Sequence, residues 1–153
     1  MINWEYNDGG RLDAGFNCGK LVGDCVVRAI AIAVEIPYRE VWDDLKACQQ
    51  AFSKGRSRAA KACKKTNCNP DRGTFRTVYE PYLKEKGFAW FPVMGIGTGC
   101  KMHLRKDELP EGRIIARVSK HLVAAVDGVL QDTHDCSRNG TRCVYGYFLK
   151  HGE

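Results

Sequence analysis

The sequence predicts an α+β domain in which helices come first and an antiparallel sheet follows. Apolar residues recur at helical spacing between Asp24 and Gly87. After Gly87 the pattern turns to short β-like runs, FAWFPV, RIIARVS, HLVAAVD, VLQDT and CVYGYFLK, separated by turn residues. Helices and strands are therefore segregated along the chain, whereas a parallel doubly wound sheet requires them to alternate. With 153 residues and 44% hydrophobic content, the chain suits one domain, residues 1–153, with an ordinary core.

Residues 1–23 are rich in Gly, Asn and Asp, with Trp4, Tyr6 and Phe16 as scattered apolar anchors, which reads as a loop-like arm. From Asp24 the run CVVRAIAIAV is apolar almost all round, with Arg28 its one charge, and predicts a helix buried on most faces. Asp24 is placed to cap it and Pro37 to stop it. YREVWDDLKACQQAF follows, with Val41, Trp42, Leu45, Cys48 and Phe52 at the three- and four-residue steps of an amphipathic helix. The stretch from Ser53 to Arg72 has no clear period and ends in the turn-forming NPDRG, so it is expected as an exposed basic loop insertion. A third helix is predicted in FRTVYEPYLKEKG, kinked or restarted at Pro81 and stopped by Gly87. MGIGTGC lacks the Gly-Lys-Ser/Thr ending of a phosphate loop and is expected to be a connection at the edge of a cleft.

Charge is unevenly placed. The net charge is +6, yet Ser53 to Arg76 holds eight cations against Asp71 alone, which leaves sixteen cations and seventeen anions elsewhere. Such a cluster can recruit an acidic partner or an acidic substrate. It lacks the aromatic interleaving of single-strand binders, so nucleic acid is not the expected partner. No window approaches the roughly 18 apolar residues of a membrane span, and Met1 leads into polar and acidic residues rather than a signal sequence. The expectation is a soluble cytoplasmic protein that does not engage a membrane and whose eight cysteines stay reduced.

Among those cysteines Cys25 stands apart, at the first turn of the most apolar helix and just after Gly23-Asp24. Free backbone N–H groups and the positive end of the helix dipole there favour a thiolate. The plain alternative is a small buried hydrophobe. A base for that sulfur comes from the hairpin SKHLVAAVDGVLQDTHD, in which Asp127-Gly128 signals a two-residue primed turn. Counting outward from that turn places Val126 opposite Val129, Ala124 opposite Gln131 and Val123 opposite Asp132. His121 and Asp132 then become diagonal neighbours on one face, close enough for a hydrogen bond. Asp135 falls on the other face, and His134 lies opposite His121 at the open end. A thiolate, an imidazole and a carboxylate that fixes the imidazole's tautomer are the components of nucleophilic catalysis by sulfur.

The three segments GDCVVRAIA, SKHLVAAVDG and LQDTHD, in that order, resemble the papain-like cysteine peptidases and their relatives among bacteriocin-leader peptidases and NlpC-type amidases. The chain is also similar to small proteins of bacteria and phages. The resemblance implies a papain-like fold, with N-terminal helices and a central nucleophile helix packed on a C-terminal antiparallel sheet. It implies a peptidase, isopeptidase or amidase acting on a peptide or protein substrate through a Cys25, His121, Asp132 triad, with no metal or organic cofactor. That family places a glutamine a few residues before its nucleophile as an oxyanion donor. None precedes Cys25; Asn17 is the nearest amide, Lys20 a weaker candidate, and the Cys25 backbone N–H the other donor. A non-catalytic binding module on the same fold, its basic loop contacting nucleic acid or an acidic partner, is the alternative.

Two other cysteine groupings carry less. Cys63 and Cys68, with Cys48 or His103, form no paired Cys-x2-Cys spacing, so zinc is not expected there. Cys136 and Cys143 flank SRNGTR and could lie close, but reduced thiols are expected.

Overall fold

In the computed structural model, which describes residues 4–16, 23–95 and 97–150, the apolar run after Asp24 forms helix α1, Cys25–Val34. Its residues from Val26 to Ala33 are all buried, Arg28 included. The helix ends at Val34, and Glu35, two residues before Pro37, turns left-handed at φ 63°. Helix α2, Tyr38–Phe52, is amphipathic as its spacing predicts, burying Tyr38, Val41 and Leu45. Cys48, counted on its apolar stripe, is exposed, and the polar Gln49 is buried instead. Gln49 Nε2 donates to the carbonyls of Cys68 at 3.2 Å and Gly73 at 3.3 Å, so the buried amide ties the following segment to α2.

That following segment corrects the expected loop at 53–72. Arg58–Lys65 is helix α3, and Pro70–Arg72 forms a single 3-10 turn. Ser57 caps α3 by accepting from the Ala60 N–H at 3.0 Å, and Ala60 and Cys63 are buried beneath its basic outer face. Alanine and cysteine carry the inner face, so no large apolar residue betrays the period. Helix α4, Arg76–Glu85, keeps Pro81 in its interior and ends before Gly87, whose φ of 90° suits glycine.

The strands are β1 (Trp4–Tyr6), β2 (Phe88–Pro92), β3 (Arg113–Val118), β4 (His121–Val126), β5 (Val129–Asp132) and β6 (Gly146–Lys150). They form one sheet in the order β1-β5-β4-β3-β6-β2. The sheet is mixed rather than antiparallel, because β1 runs parallel to β5. The arm expected to be all loop supplies that edge strand. Three residues are too few for a period, and pairing with β5 decides their conformation. The remaining pairs are antiparallel. The β4–β5 register is the counted one, with Val126 opposite Val129 and Ala124 opposite Gln131, closed by Asp127 and Gly128 at φ 50° and 82°.

Both faces of the sheet are covered. Val27, Ile30 and Leu45 of the helices pack with Ile115, Leu122, Ala124 and Phe148 on one side. On the other, Leu104, Leu109 and Val144 from the long connections pack with Ile114, Val123 and Leu130. The α+β architecture of helices followed by a sheet is thus present, and β4, against α1, is its centre.

Candidate active site

His121 opens β4 and Asp132 closes β5, so the hairpin brings both to the same end of the sheet, beside the start of α1. His121 Nε2 and Asp132 Oδ2 are 2.7 Å apart, the contact that the register count anticipates. The His121 imidazole acts on the Cys25 thiol from this end of the sheet and lowers its pKa. The three candidate residues therefore come together from three separate elements.

Electrostatics sets their charge states. Burial pushes the Cys25 thiol up, but the His121 hydrogen bond and charge, the Leu122 backbone N–H and Arg28 hold it below its ordinary value. Burial pulls His121 down, yet its hydrogen bonds with Asp132, Cys136 and Cys25 raise it to about 11. Asp132 is held well below the usual carboxylate range: burial opposes ionisation, while His121 and Arg28 outweigh it. The shifts favour a thiolate and an imidazolium resting on a fixed carboxylate.

Arg28 is the residue that sequence reasoning passed over as an interruption. Its Nη1 donates to Asp132 Oδ1, while its Nε donates to Asp24 Oδ1 at 3.0 Å. Asp24, fully buried, makes no side-chain cap; its carboxylate also accepts from Tyr38 Oη at 2.8 Å and Arg11 Nη1 at 3.1 Å. The capping expectation for Asp24 fails because a buried anion is better stabilised by two guanidinium groups than by α1 backbone amides. The signal was available: Asp24 and Arg28 sit four apart, and a charge inside an otherwise buried helix needs a partner. Cys136 was missed as well. It is buried against His121, and burial pushes its thiol up.

The other candidates are placed differently. His134 is mostly exposed, its ring 5.6 Å from that of His121 and its Nδ1 4.0 Å from Asp132 Oδ1. Asp135 accepts from the Ser137 N–H and hydroxyl and stays outside the triad. Asn17 and Lys20 lie outside the described residues. The N–H groups of the first turn of α1, which a helix leaves without internal partners, are oxyanion donors available beside Cys25.

Cys25 and His121 line a cleft of about 420 Å³. Its opposite wall is Gly73 to Arg76 and Tyr79, brought close because Gly23 has no side chain: a Cβ there would lie 3.3 Å from the Arg72 carbonyl carbon and the Gly73 nitrogen. The Gly23 N–H donates to the Asp71 carbonyl at 2.8 Å and fixes that approach. Arg76, Arg117 and Lys120 line the cleft, and among the described residues no carboxylate does. A larger apolar hollow of about 640 Å³ lies between α4 and β2, but among the described residues no cysteine or histidine lines it, so size does not mark the chemistry.

The expected reduced state is corrected at one pair, since Cys100 and Cys143 are joined as a disulfide. The spacing of 43 residues hid the pair, which a backbone bridge between His103 and Cys143 brings together. Cys136, the expected neighbour of Cys143, is free. No helix among the described residues is long and apolar enough to cross a membrane. A scan against protein-family models found no match, and searches of curated proteins and of solved structures found none either.

Proposed function

We propose that this chain is a cysteine hydrolase of papain-like arrangement, a peptidase, isopeptidase or amidase. The observation that carries the reading is the convergence of Cys25, His121 and Asp132 in a cleft, with the sulfur's pKa lowered and the imidazole's raised. The Cys25 thiolate attacks the acyl carbon, the C–S bond forms, and the carbonyl electron pair moves to oxygen near the N–H groups of the first turn of α1. His121 gives its proton to the leaving nitrogen as the C–N bond breaks. Neutral His121 then takes a proton from water, whose oxygen attacks the thioacyl carbon and releases the acid and the thiolate. Asp132 keeps the ring oriented throughout.

The cleft cations point to substrates with acidic side chains. Arg76 is already paired with Glu80 at 2.7 Å, so Arg117 and Lys120 supply the field. A chromogenic aryl ester tests the chemistry: Cys25 should acquire the acyl group, detected by mass, and lose it again by hydrolysis, while Cys25→Ala acquires none. Acylation of another cysteine with Cys25 unmodified overturns the proposal. For charge, alkylation of Cys25 by iodoacetate relative to iodoacetamide should fall several-fold in Arg117→Gln with Lys120→Gln.

The second reading is a binding module without turnover. It is favoured by the exposed outer face of Arg58, Lys61, Lys64 and Lys65, none of which enters a salt bridge among the described residues. Replacing these four by Gln and measuring salt-dependent retention on an anionic polymer tests it. Lost retention together with absent acylation selects this reading.

A further inference from the structure

The second cysteine–histidine cluster lies far along the chain from Cys25, in the connections behind the sheet. We propose that Cys100, His103 and Cys143 form a zinc site that opens when their disulfide is reduced, with Glu108 orienting the histidine. The inference is independent of the hydrolase reading, since it uses none of that site's residues.

The sulfur and imidazole ligand atoms of these three residues all lie within 4.8 Å of one another. His103 Nε2 is 3.5 Å from Cys100 Sγ. Zinc–sulfur and zinc–nitrogen bonds of about 2.3 and 2.0 Å at a tetrahedral angle require an S···N edge of about 3.5 Å, so that edge already has its bound length. The other ring nitrogen, Nδ1, meets Glu108 Oε1 at 3.2 Å, and the same oxygen accepts the His103 backbone N–H at 3.2 Å. A disulfide needs no imidazole aimed at its edge, nor a carboxylate fixing that imidazole's far nitrogen. Both are what a metal-bound histidine uses to set its tautomer and basicity.

The backbone is organised around the same point. His103 bridges Cys143, the Leu104 N–H donates to the Arg142 carbonyl at 3.0 Å, and the Val144 N–H donates to the Met102 carbonyl at 2.8 Å. Leu104 and Val144 are fully buried beneath, so the frame stays in place when the covalent bond is broken. The Cα atoms of Cys100 and Cys143 are 5.7 Å apart, a separation over which side-chain rotation alone can move the sulfurs apart to the width of a zinc ion. Cys100 is exposed and follows the glycine-rich MGIGTG, so it is the ligand free to move.

The chemistry balances. A dithiol reductant gives two electrons and two protons to the Cys100–Cys143 bond, producing two thiols and its own disulfide. Zinc then displaces both thiol protons, forms two Zn–S bonds and accepts the lone pair of neutral His103 Nε2, leaving its fourth position to water. Two thiolates neutralise the dication, and the cross-link between the two connections is kept in either redox state.

The test uses the full chain, oxidised or reduced and desalted, titrated with zinc against a chromogenic chelator and with cobalt as a spectroscopic probe. Reduced protein should hold one zinc equivalent that oxidised protein does not, and its cobalt form should show tetrahedral d–d bands with thiolate charge transfer. Cys143→Ser should abolish that equivalent, His103→Asn should do so without altering any cysteine, and Glu108→Gln should weaken it about tenfold. His134→Ala, at the other histidine cluster, should leave it unchanged. Absence of zinc from the reduced chain, or retention undiminished in both Cys143→Ser and His103→Asn, overturns the proposal.

Discussion

The molecule contains two clusters built from the same residue types, a cysteine, a histidine and a carboxylate, and they differ in what surrounds them. At Cys25 the carboxylate of Asp132 is 1% exposed and held by Arg28, which is itself held by the buried Asp24. At Cys100 the side chains of His103 and Glu108 are 34% and 27% exposed, and Arg105 stands only loosely by Glu108 at 3.7 Å. Fixed counter-charge in a buried setting holds the first cluster's thiol below and its imidazole above their ordinary pKa values. The second, open to solvent and carrying two sulfurs, suits redox exchange and a soft cation. Identical residue types thus acquire different chemistry from burial and from the groups one contact further out.

The largest expected effect comes from removing what distinguishes the buried cluster. Arg28→Ala leaves Asp24 and Asp132 buried without their shared guanidinium, and a loss of about 3–5 kcal/mol in urea unfolding is expected. A loss below about 1 kcal/mol means the network is not what separates the two sites. Next, His121→Ala should slow alkylation of Cys25 by iodoacetamide several-fold at pH 6.5, since it removes the imidazole that lowers the thiol's pKa. Peptide mapping reads the rate at each cysteine, and an unchanged rate removes His121 as the source of activation.

A pH series sharpens the contrast with exposed sulfur. Cys25 alkylation should climb less steeply with pH between 6.5 and 8.5 than that of an ordinary thiol, because its pKa is lowered. At Cys48, whose pKa is raised by burial and by Asp44 and Glu85, the rate should climb about tenfold per pH unit. For stability the signs oppose at the two partners of the pair. The raised pKa of His121 contributes stability that is full below about pH 6.5 and is lost as pH rises towards about 11. The lowered pKa of Asp132 contributes stability present above the usual carboxylate range and lost as pH falls below it. Thermal unfolding across pH should show both flanks weakened in the wild type and the alkaline flank flattened in His121→Ala. The smallest effect is at the solvated extreme: Asp43→Ala breaks an exposed pair with Arg39 at 3.5 Å and should change stability by less than about 0.5 kcal/mol.

Legibility in the sequence followed the length and strength of local signals. α1, α2 and α4 were readable from sustained apolar spacing, and the β4–β5 hairpin from Asp127-Gly128, which also delivered the His121–Asp132 contact. α3 was not, because Ala60 and Cys63 carry its inner face among lysines and arginines. β1 was not, because a three-residue edge strand has no period and depends on β5. Within the site, Arg28 and Cys136 escaped notice because neither is reactive in isolation, and each matters through the groups it touches.

The sequence by itself determined which side chains could share a strand face or a helix turn, since those relations follow from fixed repeats of 2 and 3.6 residues. Only the tertiary structure decided that the start of α1 meets the open end of the hairpin, that Arg28 spans from Asp24 to Asp132, and that Cys100 finds Cys143. Those contacts join residues 43 to 104 positions apart. No local period encodes such distances; they are fixed by the packing of helices and connections on the two faces of the sheet.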